Sequence, residues 1–332
     1  MSLNKKILVT GGAGYLGSVL VAKLLQKGHI VTVIDILMFG GEGLIPHLSN
    51  PRFSLIRGDI RDSKLLIKVF TENSFDAVFH VAALVGDPAC KINPKLSHEI
   101  NYLSTISLAT LAKKQKNTHF IFTSTCSNYG ISNPDIIATE SSELKPLSLY
   151  AETKIASEKE LLKLHTASFC VTIVRLATIF GLSPKMRFNL LINEIVRQAL
   201  FGKTILLYKE NAWRPYTHTE DAVDALITIL ESKQEKVAGE IFNIGTENCR
   251  KIDIVIKLKK YLKNVNVEKK GGIPDLRDYR VSFEKIRQKL GFVPKKSISE
   301  GIEEMIAALK NGVFSNPHDE KYDMWLNQKL FK

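Results

Sequence analysis

Between residues 6 and 35 the chain reads strand, glycine turn, helix, strand, acid, and this order restricts the fold more than any other stretch. Lys6-Ile7-Leu8-Val9 is a short apolar run of the kind that forms a buried strand. Gly11, Gly14 and Gly17 follow, and from Tyr15 to Gln26 the apolar residues Leu16, Val19, Leu20 and Leu24 recur at helical spacing. The glycines therefore fall in the turn between a strand and a helix. There the backbone bends sharply and leaves no Cβ in the path of a phosphate. The helix N-terminus offers unpaired N–H groups and partial positive charge to a pyrophosphate. A second β-rich run, His29 to Ile34, ends at Asp35. An acid about 20 residues beyond such glycines is placed to hold a ribose hydroxyl pair. Its charge repels a ribose phosphate, which selects NAD(H) over NADP(H). Alone, a glycine triplet is an ordinary tight turn; in this setting it marks a dinucleotide site.

The alternation continues. Strands are predicted at 53–57, 75–81, 118–123 and 169–176, with helices at 63–70, 94–113 and 149–164. Such alternation implies an α/β fold of the Rossmann type, a doubly wound parallel sheet covered on both faces. Ligands on these sheets bind beyond the carboxyl ends of the strands, so the residues just after each strand are the ones to read for function. Past residue 182 the pattern is less regular. Helices are predicted at 186–201, 219–231, 252–262, 283–290 and 298–310, strands at 204–208 and 240–244, and a break at 271–274. We expect an NAD-binding domain over 1–181, joined by returning segments near 217–246. Residues 182–332 then form mainly a smaller α/β C-terminal substrate lobe, with an irregular tail from Asn311.

Composition narrows the function. No window holds the long uncharged apolar run of a membrane span, and the N-terminus has no signal-peptide layout. The four cysteines, Cys90, Cys126, Cys170 and Cys249, are scattered without a Cys-x-x-Cys or a nearby His cluster. That pattern argues against a metal site or a disulfide framework and fits the cytoplasm. The net charge of +12 admits nucleic acid or an anionic metabolite as partner. The excess lies in scattered lysines such as Lys257, Lys259, Lys260, Lys269 and Lys270, with no aromatic interleaving and no recognised nucleic-acid motif. The metabolite is the better fit.

Tyr150-Ala-Glu-Thr-Lys154 places a phenol and an ammonium four apart on one helix face. An ammonium beside a phenol stabilises the phenolate and suits the tyrosine as a base near neutral pH. In isolation the pair reads as an ordinary surface helix. Here it follows the fifth strand of a dinucleotide sheet, and that strand ends in Thr123-Ser124-Thr125-Cys126-Ser127-Asn128-Tyr129-Gly130, a hydroxyl cluster in the ligand position.

With these motifs in order the chain resembles the extended short-chain dehydrogenase/reductase family, in particular its nucleotide-sugar epimerases and dehydratases. The resemblance rests on residues 10–17, Asp35, Gly58-Asp59-Ile60, His80-Val81-Ala82-Ala83, Asn101, residues 123–130, Tyr150 with Lys154, and Trp213 to Asp221. It implies that Gly11, Gly14, Tyr15, Leu16 and Gly17 cradle the pyrophosphate of NAD and that Asp35 binds the adenosine ribose. Asp59 and Ile60 would flank the adenine. Ala82, Ala83 and Thr123 would line the path to the nicotinamide, and Asn101 would brace the central helices. Tyr150 would be the base, Lys154 would hold the nicotinamide ribose, and Thr125 would hydrogen-bond the reacting sugar oxygen. Arg214 would meet the substrate diphosphate through the forked geometry that lysine lacks. Cys126, Ser127, Thr178, Arg187, Asn189, Asn193 and Arg277 complete the candidate substrate contacts, Arg280 could add to Arg277, and Tyr129 would close the site wall. His218 reads as a structural hydrogen-bonder.

The implied step is oxidation of a nucleotide-sugar hydroxyl at C4. Members that eliminate water at C4 and C6 carry Asp-Glu after the catalytic Thr, where this chain has Cys126-Ser127. Members that epimerise at C3 and C5 use a cysteine at the position of Ser127. C4 chemistry remains: an epimerase that returns the hydride, or a dehydrogenase that releases the ketosugar. Residues 84–90 and 175–187 resemble a subgroup with GDP-heptose C4 dehydrogenases, and Thr178 replaces the Asn of galactose-type epimerases. A non-catalytic NAD(H)-binding regulator is the rival from another class; such members typically lose the tyrosine that this chain retains. The helices at 94–113 and 149–164 could pair across a two-fold axis, giving a homodimer as in related proteins.

Overall fold

Every second residue of Lys6–Thr10 (β1) enters a different core, and the rest of the molecule follows from that alternation. The computed structural model describes residues 4–115, 117–131, 136–271 and 276–323. Beside β1 lie Ile30–Asp35 (β2), Phe53–Arg57 (β3), Ala77–His80 (β4), Thr118–Thr125 (β5), Phe169–Leu176 (β6) and Glu240–Ile244 (β7). They form one seven-stranded sheet in the order β7-β6-β5-β4-β1-β2-β3. Every neighbouring pair is parallel. The chain runs outward in one direction from β1 to β3 and in the other from β4 to β7. The crevice at this reversal, between β1 and β4, is where such sheets take ligands.

Helices cover both faces, which is why β4 and β6 are buried along their whole length. On one face Tyr15–Gln26 (α1) and Thr219–Glu231 (α6) press Leu20, Val21, Leu24, Leu226 and Leu230 onto Ile7, Val9, Val33 and Phe79. On the other, Ser63–Glu72 (α2), Ser104–Lys114 (α3) and Leu149–Leu164 (α4) bring Leu66, Val69, Leu108 and Leu161 onto Leu8, Val78, Phe120 and Phe122. Asp62 starts α2 by accepting from the Lys64 and Leu65 amides, and Ser148 starts α4 by accepting from Ala151. A third core, in the smaller lobe, joins Leu191–Leu200 (α5), Lys251–Leu258 (α7) and Ile298–Lys310 (α8). There Ile195, Val196, Ile254, Leu258, Ile302 and Met305 surround Phe188 and Tyr216. A capping box of Ser297 and Glu300 opens α8.

One predicted helix contains a wider turn, and another starts later than expected. The predicted 94–113 helix runs without a break from Pro94 to Lys114, but a π turn at Glu99–Leu103 widens it between Pro94–His98 and α3. The Asn101 amide is the cause. It accepts from the Leu84 N–H at 2.8 Å and donates to the Leu84 carbonyl at 3.0 Å, so the helix widens to keep that side chain turned inward. The 186–201 helix begins only at Leu191. Burial of Met186 and Phe188, with the Phe188 N–H donating to the Tyr322 carbonyl at 2.9 Å, keeps 186–190 out of the helix, in an irregular segment that turns at 188–189. Most of the predicted break at 271–274, and the end of the tail past Asp323, lie outside the described residues. No helix among the described residues is long and apolar enough to cross a membrane.

Candidate active site

The strand ends and the smaller lobe face each other across one continuous cleft of about 1190 Å³. That exceeds the roughly 300–1,000 Å³ of an ordinary small-ligand pocket and leaves room for two nucleotides.

The half over the sheet is made mostly of backbone. Gly11 has a φ of +75°, and a Cβ there would stand 2.6 Å from the Ala82 nitrogen. The turn after β1 therefore packs directly on the strand-end backbone at Ala82. A Cβ on Gly17 would collide with the Gly11 carbonyl, so that glycine lets α1 start tight against the turn. Gly14, Tyr15, Leu16, Ala83 and Thr123 complete this wall. At the end of β2, Asp35 accepts from the Ala13 N–H at 2.9 Å and the Leu37 N–H at 2.8 Å. Burial pushes its carboxyl above the ordinary value, and these two donors oppose that shift. The carboxylate is thus fixed at the cleft wall and keeps lone pairs for a diol. Asp59 and Ile60 lie beyond it, with Arg61 folded onto Asp59 at 2.6 Å and onto Glu99 at 3.0 Å. A glycine cradle at a helix N-terminus and a held acid at the next strand end fit a dinucleotide.

The chemical groups stand on α4 and at the end of β5. Thr125, Ser127, Tyr150 and Lys154 all line the cleft. Thr125 Oγ1 accepts from the Ser127 N–H at 3.0 Å and starts the short turn Cys126–Tyr129. The Ser148 cap puts Tyr150 in the first turn of α4, facing the cleft. Lys154 is almost fully buried, its Nζ 4.3 Å from the Phe122 ring centroid and 5.9 Å from that of Tyr150. Burial pushes its pKa down to about 7, opposed by the charge of Glu158 one turn further on. A negative charge arriving in the cleft would raise its proton affinity again.

Beneath this surface lies a network that the sequence reading missed. Glu158 and Arg175 form a buried ion pair at 2.6 Å. Ser124 Oγ and Asn128 Nδ2 donate to the same carboxylate, and Arg175 donates to the Tyr129 hydroxyl at 2.9 Å. It fastens the 124–129 segment to α4 and β6. The available signal was spacing: Glu158 continues the Tyr150, Lys154 series by four residues.

The opposite wall is made of side chains. Thr178, Arg187, Asn189, Arg214 and Arg277 reach the cleft, and Arg277 donates to the Ser127 hydroxyl at 2.8 Å. Arg214 is buried, 5.5 Å from the Tyr279 ring centroid. Burial lowers the Arg187 pKa to about 10, which still leaves it charged at neutral pH. Glu194, not anticipated from the sequence, also lines this wall.

Several candidates lie elsewhere. Cys126 is buried behind the cleft with its thiol donating to the Arg175 carbonyl, because the turn that exposes Ser127 points its neighbour inward. Asn193 is buried in α5 and bonds Gly181, Tyr15 and Arg187. Arg187 and Asn189 belong to the irregular segment before α5. Asn101 is behind the wall, bracing Leu84 and accepting from Ser157 of α4 at 2.8 Å. The Tyr129 ring is buried and its hydroxyl donates to Asn243, so it supports the wall without forming it. Arg280 packs 5.4 Å from the Trp213 ring centroid, outside the cleft lining. His218 pairs with Glu304 at 2.6 Å and accepts from the Glu220 N–H, capping α6. No group of three His, Cys, Asp or Glu side chains among the described residues could hold a metal.

A doubly wound sheet with a glycine cradle and a Tyr–Lys helix over one cleft defines a class of nucleotide-dependent enzymes. The chain belongs to the NAD dependent epimerase/dehydratase family, whose profile matches residues 7–245. It is 28% identical to a UDP-glucose 4-epimerase of Lactobacillus helveticus over 91% of this chain and 95% of that one. It is 29% identical to a UDP-N-acetyl-alpha-D-glucosaminuronate decarboxylase of Bacillus cytotoxicus over 92% and 97%. A UDP-glucuronic acid 4-epimerase of Bacillus cereus, solved with UDP-glucuronic acid and NAD, superposes with a TM-score of 0.81. That pair shares 27% identity over 92% of this chain and 99% of the other.

Proposed function

We propose that this chain is an NAD-dependent nucleotide-sugar epimerase that works through oxidation at the sugar C4, with Tyr150 as base. The observation that carries the reading is the meeting of Thr125, Tyr150 and Lys154 in the same cleft as the glycine cradle and Asp35, opposite Arg187 and Arg214. NAD, which the glycine cradle and Asp35 would hold, would supply the hydride acceptor and the hydride donor for that carbon. The protein supplies orientation and proton movement. Thr125 holds the C4 oxygen while the Tyr150 phenolate takes its proton; the Lys154 ammonium steadies the phenolate. Arg187 and Arg214 anchor the diphosphate. The ketosugar turns over, and Tyr150 gives the proton back on return of the hydride to the other face.

Two features weigh against elimination of water. Position 127 is a serine bound to Arg277, and position 126 is a thiol whose pKa burial pushes far up. Neither side chain is an acid or base near neutral pH. Release of the 4-ketosugar by a C4 dehydrogenase is the alternative outcome. Incubation with UDP-, GDP-, CDP- and dTDP-sugars, read by product NMR and absorbance at 340 nm, tests the proposal. A C4-inverted sugar without net NADH is expected; stoichiometric NADH with a ketosugar selects the dehydrogenase; no turnover of any sugar nucleotide rejects both.

We also propose a homodimer. Ile67 of α2 and Tyr102, Leu103 and Ile106 of the π turn and α3 border a shallow apolar groove. Leu103 is 50% exposed there. A second copy of the same face would cover it. The four described cysteines are free thiols, in keeping with a cytoplasmic enzyme.

A further inference from the structure

Tyr15 opens α1, and with Gly14 and Leu16 it lines the cradle side of the cleft. Its ring, however, is buried in the core of the smaller lobe, among residues such as Phe180 and Ile192. There the phenol hydroxyl is saturated. It donates to the Gly181 carbonyl at 2.6 Å and accepts from Asn193 Nδ2 at 3.1 Å; Thr219 Oγ1, which donates to the Phe180 carbonyl at 2.7 Å, also lies 3.1 Å away. Burial pushes its pKa up to about 12, so it remains a donor. Apolar packing alone needs no such hydroxyl; phenylalanine would fill the same core.

The partners are informative. Gly181, with a φ of +105°, ends the short strand Thr178–Phe180 that carries the chain into the smaller lobe. Its N–H donates to Asn193 Oδ1 at 3.0 Å, so Tyr15 and Asn193 together hold both of its backbone groups. Asn193 Nδ2 also donates to the Arg187 carbonyl at 2.9 Å. Arg187 faces the cleft, and its charge is felt by the Tyr15 and Tyr150 phenols. A second strap runs beside the first: Ser183 Oγ donates to the Tyr15 carbonyl at 2.7 Å and lies 3.2 Å from Ser18 Oγ of α1. The first turn of α1 is thus one side chain away from the segment that presents Arg187.

We propose that Tyr15 is a positioning residue that couples the two halves of the cleft. Its phenol links the dinucleotide cradle through Asn193 to Arg187, so that NAD(H) and the nucleotide diphosphate bind with positive cooperativity. The inference rests on the reading of the cleft as a site for both ligands. A pyrophosphate on the cradle sets the position of the first turn of α1, and the phenol carries that position to the Arg187 segment. By linkage the substrate must tighten NAD(H) by the same factor.

The test is equilibrium binding on nucleotide-stripped protein. UDP, GDP, CDP and dTDP serve as probes, each titrated with and without saturating NADH. In the wild type, NADH tightens the best probe by about fivefold or more, within the usual range of coupling. In Tyr15→Phe the ratio falls toward one. Asn193→Leu, which cuts the same relay one bond further on, also lowers it. A residue that only packs would weaken both ligands and leave the ratio unchanged, and melting temperature reads that effect separately. A wild-type ratio of one, or a full ratio in both variants, overturns the relay while NADH and diphosphate binding keep the proposed function standing. Wild-type protein that binds none of the four diphosphates overturns the function and the relay together.

Discussion

The two walls of the cleft are built by different means. The cofactor wall is backbone: a glycine turn pressed on Ala82, helix N–H groups, and one acid held by two amides. The proposed substrate wall is side chains, with Arg187, Arg214 and Arg277 drawn from an irregular segment, a short strand and a loop far apart in sequence. A backbone site tolerates little change of residue and asks little of distant partners. A side-chain site can be retuned residue by residue, but it depends on how a separate core is packed. The proposed catalytic groups stand at the seam, on α4 and β5, anchored by the buried Glu158–Arg175 pair.

Four changes sharpen or break this contrast. At the seam, Tyr150→Phe is expected to lower turnover by about a thousandfold, within the range for losing a general base. NADH and nucleotide-diphosphate affinities, read by fluorescence and calorimetry, should barely move. Lys154→Met removes turnover as well, yet stabilises the protein. The buried ammonium has its pKa lowered to about 7 from an ordinary 10.5, so folding carries a penalty that is complete below about pH 7. The penalty fades as the pH rises toward 10.5, because the unfolded chain then also loses the proton. The variant's advantage in urea unfolding should therefore be a few kcal/mol at pH 6.5 and much smaller at pH 9.5. An advantage that grows with pH would contradict the placement of Lys154.

On the cofactor wall, Gly11→Ala should cost about 2–3 kcal/mol of stability together with most NADH affinity, since the new Cβ meets backbone at positive φ. On the substrate wall, Arg214→Lys should raise the KM for the nucleotide sugar about tenfold, roughly 1.4 kcal/mol, with NADH affinity and stability nearly unchanged. If Arg214→Lys instead weakened NADH as much as Gly11→Ala does, the division between the walls would not hold.

This contrast also explains what could be read from the chain before folding. The glycine turn, Asp35 and the Tyr150–Lys154 spacing are local, and each has a chemical meaning at fixed offsets along the sequence. The parallel sheet was legible for the same reason. The π turn at Asn101 was not, because the Leu84 backbone that widens the helix lies 17 residues away. The start of α5 was misplaced because Phe188 is captured by Phe314 and Tyr322, from the far end of the chain. Cys126 and Ser127 are adjacent and chemically similar in sequence. Only the turn after β5 decides that one faces the cleft and the other the Arg175 carbonyl. Glu194 joined the wall for a reason of the same kind: helical periodicity gave its face, but not what that face meets.

The central claim is that one carbon of the sugar is oxidised and then reduced again by the same hydride. The most direct measurement is turnover of a nucleotide sugar carrying deuterium at C4, run in ordinary water and read by mass spectrometry and NMR. The account predicts a slowed reaction and an inverted product that keeps its deuterium at C4. Inverted product with solvent hydrogen at C4 and no isotope effect on the rate would contradict it.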